Sequence, residues 1–196
     1  VRQVVAPDLP LPQGERIVGI DVVDAESGGR ERRLLYDLGM WREQLSAVED
    51  LGAFRTLERN LIIPGAGSGP VDVAEISASG FRVAGVRPLL GRGLQPADEN
   101  ADAPAVVVIG HDLWQRRFGS DTDVVGRTVR LGAVTATVVG VMPEGFAFPI
   151  AQSLWVPLRF NGAEQAPRQG AAVRVFGKLA DGATLDRAQT ELAALS

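Results

Sequence analysis

The chain has 196 residues, 45% of them hydrophobic and 22% charged, with a formal net charge of −4. That length suits one large domain or two small ones and buries about 70% of the unfolded surface, so a packed core forms without covalent staples and extensive disorder is excluded. The absence of cysteine rules out a disulfide framework and a thiolate metal site, and the 20 basic residues (all arginine except Lys178) lie scattered among acidic ones, which speaks against a nucleic-acid partner.

The first fourteen residues hold Pro7, Pro10, Pro12 and Gly14 and read as an extended lead-in. Residues 16–24 read as a strand and 25–33 as a polar loop. Asp37 is placed to cap a helix reaching Ala47, with Leu38, Trp41, Leu45 and Val48 as its apolar stripe. A second strand is predicted over 54–63, a turn over 64–70, and a third strand over 71–76. Ser79 is placed to cap a short helix carrying Phe81 and Val83. The β-branched run 105–109 reads as a buried strand. Residues 111–118 read as a short helix with Trp114 and Phe118 on one face, ended by Gly119. Residues 127–131 and 134–141 form a hairpin whose Gly132-Ala133 loop suits a type II′ turn. A last strand over 173–180 is followed by a turn at Asp181-Gly182 and a helix capped by Thr184, with Leu185, Ala188, Leu192 and Leu195 on one face. Strands grouped with short helices, and chain ends that complete one another, indicate an α+β fold with an insertion.

Side chains that carry chemistry are sparse. His111 is the only histidine, whereas a metal centre or a catalytic triad needs further groups around it. The acidic run 98–102 lacks the spacing of a calcium loop and reads as a solvated loop, and 120–123 reads as a turn. The glycine-rich stretch 65–69 resembles a phosphate cradle, but Pro70 and a strand follow it instead of Lys-Ser/Thr and a helix. Asp98 and Glu144 could be drawn as a carboxylate pair, with nothing in the sequence to bring them together. Trp41, Trp114 and Trp155 read as core. The longest apolar runs, 103–110 and 134–142, are far short of the about 20 residues of a membrane span. The Phe- and Pro-rich corner VMPEGFAFP is either a rigid cap or an apolar patch for a partner, which makes Phe146, Phe148 and Pro149 the candidate partner-binding residues. No residue is assigned to catalysis, to a cofactor or to a metal.

Taken together, five strings carry a resemblance: VRPLLGRGL (86–94), VVVIGHDLWQRRFGSD (106–121), VVGRTVRLG (124–132), TVVGVMPEGFAFP (137–149) and LWVPL (154–158). With YDLGMWREQLSAVEDLGAF (36–54) and VFGKLADGATLDRAQTELAAL (175–195), they resemble the MacB-like periplasmic core domain of FtsX-type ABC transporter permeases, most of all the duplicated orphan permeases of acidobacteria. The resemblance implies a porter-like α+β subdomain built from both chain ends (1–72 and 163–196), with a strand-rich subdomain (73–162) inserted between them. It implies a place on the periplasmic side of the bacterial inner membrane, as a segment flanked by membrane helices and soluble when isolated. It also implies that a separate cytoplasmic ATPase domain or subunit hydrolyses ATP, so that no cofactor is expected here. The function expected is non-enzymatic: passing conformational change between the membrane helices and a periplasmic substrate or partner. The alternative is a binding module for a lipoprotein, an apolar ligand or a partner protein. An enzyme acting on cell-wall material lacks the site inventory it would need.

Overall fold

The computed structural model describes residues 2–5, 11–22, 33–159 and 172–195. In chain order the elements are β1 (Arg2–Val5), β2 (Ile17–Val22), β3 (Arg33–Leu34), α1 (Leu35–Gln44), β4 (Val48–Ile63), β5 (Gly67–Ile76), α2 (Ser79–Ala84), β6 (Leu90–Gly91), β7 (Val106–Ile109), α3 (His111–Phe118), β8 (Thr128–Leu131), β9 (Val134–Val141), β10 (Leu154–Pro157), β11 (Ala172–Leu179) and α4 (Leu185–Ala194). Four helices on a strand-dominated scaffold make this the α+β fold the sequence predicts.

The differences from the predicted elements have tertiary causes. Asp37 lies inside α1 instead of capping it, and the helix stops at Gln44 although the apolar stripe runs on to Val48. The chain leaves the helix because Val48 pairs with Leu179 of β11, while the Glu191 carboxylate takes the backbone N–H groups of Ser46 and Ala47, both at 2.8 Å. For the same reason β4 begins at Val48, well before the predicted 54. The turn before β5 shrinks to residues 64–66, since β5 starts at Gly67. Part of the predicted lead-in is the strand β1, paired antiparallel with β2. Residues 6–10 and 23–32, which include most of the predicted loop, lie outside the described residues. β3, β6 and β10, only two to four residues long, carry no periodicity that a sequence can display.

Packing divides the chain into two compact units: Val1–Phe54 with Arg82–Gly85 and Phe160–Ser196, and Arg55–Phe81 with Val86–Arg159. The sequence reading draws its boundaries at 72/73 and 162/163.

In the first unit β11 lies between β2 and the start of β4, antiparallel to both, and also pairs with β3. Helix α4 packs against β1, and α1 against β11. The core holds Ile17, Val18, Leu38, Trp41, Phe176 and Leu192, all essentially removed from solvent. Gly177 sits where β11 bulges against β4; a Cβ there would lie 2.3 Å from Val48 Cγ1, so only glycine lets the strands approach. Thr184 caps α4 as predicted, its hydroxyl accepting from the Arg187 N–H at 3.2 Å.

In the second unit the strands close on themselves. β4 neighbours β5, β5 pairs with β10, β10 with β7, β7 with β9, β9 with β8, and β8 returns to β4. The result is a six-stranded barrel of mixed direction, with β5 parallel to β10 and β7 parallel to β9. Alternate residues line one shared core: Leu61 and Ile63, Val71 and Val73, Leu154, Val107 and Ile109, Val138 and Ala136, and Val129. Leu113, Trp114 and Phe118 of α3 join the same cluster. Since α3 follows directly after Ile109, it covers the end of the barrel at which β7 finishes. The predicted β8–β9 hairpin is present, with Gly132 at φ +62° in its two-residue loop.

Candidate functional site

The predicted corner lies beside an open depression of about 310 Å³ on the second unit. Its walls are the start of α3, the turn at 143–147 and the segment 151–153. Backbone hydrogen bonds fix each wall: Met142 N–H donates to Ile109 O at 2.8 Å, Gly110 N–H to Ser153 O at 2.9 Å, and Phe146 N–H to Pro143 O at 3.2 Å. Ser153 N–H donates in turn to Asp72 O at 3.2 Å, which ties the segment to β5.

The three predicted partner-binding residues take different positions. Phe148 is buried, 2% exposed, and its carbonyl accepts from Trp155 Nε1 at 3.0 Å. Phe146 is half-buried and lines the depression. Its ring meets Trp155 edge-on at 5.1 Å and stacks with Phe81 at 6.0 Å. Pro149 is half-buried and follows a cis peptide bond. Phe148 therefore anchors the corner from inside, and Phe146 is the member that reaches the depression. The aromatic trio Phe81, Phe146 and Trp155 holds that face in one arrangement.

Two polar atoms in the wall stand out. His111 Nδ1 and Gln152 Oε1 are buried without a hydrogen-bond partner, and both residues line the depression. A buried polar group left unsatisfied costs about 1–3 kcal/mol, and no hydrogen bond to either atom is made among the described residues, so both are open to water or to a partner group in the depression. Among the described residues no carboxylate bonds His111 Nδ1, the contact that orients the base of a triad. Asp72, Asp112 and Arg116 also line the depression, and Arg116 and Asp112 pair loosely at 3.8 Å. Sequence reasoning singled out His111 but missed Gln152; the available signal was one amide between the apolar runs FAFPI and LWVPL.

The other sequence candidates resolve into local structure. Asp98, only 7% exposed, takes a two-point salt bridge from Arg92 (2.6 and 3.0 Å) and the Gln95 N–H at 2.8 Å. Burial pushes the Asp98 carboxyl up, but these hydrogen bonds and the charges of Arg92 and Arg159 outweigh it and hold the group below the ordinary carboxylate range. Glu99 accepts from the Ala78 N–H at 2.5 Å. Asp98 and Glu99 therefore fasten the loop, although the sequence predicts a solvated run, whereas Asp102 is exposed. Asp121 caps the turn at 122–124 through the Asp123 N–H at 2.8 Å, as its turn reading predicts. Glu144 is exposed on the turn beside the depression.

This arrangement is a shaped, braced surface, and a model of the MacB-like periplasmic core domain matches the chain over residues 8–195. The chain belongs to that family. Among solved structures, the periplasmic region of MacB from Actinobacillus actinomycetemcomitans shares the fold, with a TM-score of 0.69 at 19% identity over 92% of this chain and 82% of that one. The extracellular domain of the noncanonic ABC-type transporter YknZ from Gram-positive bacteria gives 0.66 at 13% identity, over 91% of each chain. A "probable export ATP-binding/permease protein" of Pseudomonas fluorescens is 32% identical over 80 residues, 39% of this chain, and the match spans 12% of the relative's length. Within the MacB-like family this chain is thus the periplasmic domain of an ABC permease. Among the described residues no helix is long and apolar enough to cross a membrane.

Proposed function

We propose that this domain passes conformational change between membrane segments of an ABC-type permease and a partner or cargo outside the membrane. The supporting observation is the division into two compact units, each closed around its own core. Close-packed cores resist continuous deformation, so motion imposed on such a chain goes into displacing one unit as a body. ATP is then hydrolysed elsewhere, by a cytoplasmic ATPase domain or subunit. The name of the Pseudomonas relative, which couples ATP binding with a permease, is in keeping with this division of labour. The domain itself carries out no catalysis and needs no cofactor.

The test is a distance measurement in the full-length permease. Spin labels on Gln44→Cys in the first unit and Gln115→Cys in the second are compared with and without ATP; this segment has no native cysteine to interfere. The separation between units is expected to change by on the order of 5 Å. Control pairs within a unit, Gln44 with Asp186 and Gln115 with Glu144, stay fixed. An unchanged inter-unit distance through the ATP cycle refutes transmission.

A second reading, the binding module, is favoured by the unpartnered His111 and Gln152 atoms beside Phe146. In it the corner meets a periplasmic partner, with Phe146 and Pro149 in contact and Phe148 supporting them. A photo-crosslinker at exposed Ala147 in the full-length permease then yields a defined adduct, reduced about ten-fold by Phe146→Ala, as for the loss of an aromatic anchor. Absence of an adduct, or one indifferent to Phe146, removes the corner as the contact.

A further inference from the structure

Among the described residues, one end of the barrel of the second unit is filled by a helix and the other is not. Helix α3 fills the end where β7 finishes, through Leu113, Trp114 and Phe118. At the opposite end, where β7 and β9 begin and β8 and β10 finish, no helix plugs the bore among the described residues. A cavity of about 230 Å³ opens there, lined by Ala105, Leu131, Val134, Ala136 and Val156.

The registers show that this cavity is the mouth of the barrel's interior. Side chains of directly paired residues point to the same face. Leu131 pairs with Val134, and Val129 with Ala136, while Leu131 also pairs with Leu61 of the barrel core. Val156 is two residues beyond the interior residue Leu154, and Ala105 is two before Val107. Ala105, Leu131, Val134 and Val156 are thus each the next inward-facing position along their strands, beside the core residue Ala136, and Val106 and Pro157 also border the opening. Val134 is 54% exposed, an unusual state for a valine on the inward side of a barrel.

The rim carries two arginines, of which Arg159 also acts on the Asp98 carboxylate, and one carboxylate. Arg59 and Arg159 both line the opening. Glu75 also lines it, but Arg55 neutralises it through a direct salt bridge. Arg159 is held in place by donating to Pro104 O at 2.8 Å and Ala101 O at 3.5 Å, which leaves further guanidinium N–H groups to donate. The Arg59 guanidinium is exposed and, among the described residues, donates to the neighbouring Glu58 carbonyl at 3.3 Å. Apolar walls beneath two arginines complement an apolar chain that ends in an anion.

We infer that the barrel mouth is a binding site for a medium-length acyl carboxylate, with its chain between Ala105, Val134, Ala136 and Val156 and its carboxylate at Arg59 and Arg159. This inference is independent of the transmission role and stands or falls separately. The probe is sodium octanoate, titrated into the 196-residue chain and followed by calorimetry and by amide NMR shifts. Affinity is expected to rise about four-fold per methylene from butanoate to octanoate and then level off as the cavity fills. Shifts concentrate at Ala105, Leu131, Val134 and Val156. Arg59→Ala weakens octanoate about ten-fold while leaving 1-octanol unchanged, as the loss of one charge-assisted hydrogen bond requires. Val134→Asp, at an exposed position that leaves the fold intact, abolishes octanoate binding by placing a like charge in the mouth. No binding of octanoate, shifts centred elsewhere, or equal affinity for octanoate and octyltrimethylammonium would overturn the assignment. Octanoate binding that survives Val134→Asp overturns it equally.

Discussion

Single side chains with several partners hold this chain's irregular segments, and Glu191 is the clearest case. Its carboxylate accepts from Ser46 Oγ at 2.7 Å, from the Ser46 and Ala47 N–H groups, and from Arg187 Nε at 3.1 Å. The Ser46 hydroxyl, against the opposing pull of burial, and then the two backbone donors and Arg187 lower the carboxyl from its ordinary 4.5 to about 2. A carboxyl depressed on folding stabilises the native state fully above its unfolded value and loses that contribution as the pH falls toward the folded one. The chain therefore gives up this stabilisation between pH 4.5 and about 2. Glu191→Gln is expected to lower the unfolding free energy obtained from urea titration at pH 7 by about 1–2 kcal/mol, as for the loss of hydrogen bonds to a charged group. The gap between the two proteins narrows as the pH drops below 4.5. A gap that persists unchanged at pH 2.5 contradicts the assignment. Nothing in the sequence pointed to this role of Glu191, because Ser46 and Ala47 lie some 145 positions away and only Arg187 is a near neighbour. Asp98 was visible as one of an acidic run, but its pairing with Arg92 was not.

Elements with a strong periodic signal were legible, and those defined by a neighbour were not. The sequence predicts a helix over 111–118 and α3 is found at His111–Phe118, since Trp114 and Phe118 mark one face and Gly119 ends it. α4 was read from Thr184 and its leucines for the same reason. α1 was read too long: its stripe of Leu38, Trp41, Leu45 and Val48 is buried throughout, yet the last two belong to the exit from the helix and the next strand. Burial was foreseen, and the conformation that achieves it was set by β11. Gly177 is the residue through which β11 imposes this pairing. Gly177→Ala drives a Cβ into Val48 and Leu51 and is expected to cost about 1–3 kcal/mol in chemical denaturation. A neutral result would mean that β4 and β11 do not approach as closely as 2.3 Å from Cβ to Val48 demands.

At the scale of the whole chain, the order of apolar residues determined the α+β class and a buried role for all three tryptophans. These properties depend on composition and on spacing over a few residues, which a sequence carries directly. The closure of six strands into a barrel, with one end filled by α3 and the other left open, depends on pairings such as Leu61 with Leu131 across 70 positions. Hydrophobic alternation states only that a residue faces a core, and it is the same for a flat sheet and a ring. The corner at Phe146, Phe148 and Pro149 shows the same limit: its aromatics marked the place, but only packing separated the anchor, Phe148, from the lining residue, Phe146. Arg59 and Val134, unremarkable in the sequence, became the rim and wall of a cavity because partner strands brought them to one mouth. Local chemistry thus fixed what each segment prefers, and long-range pairing decided which surfaces remain open.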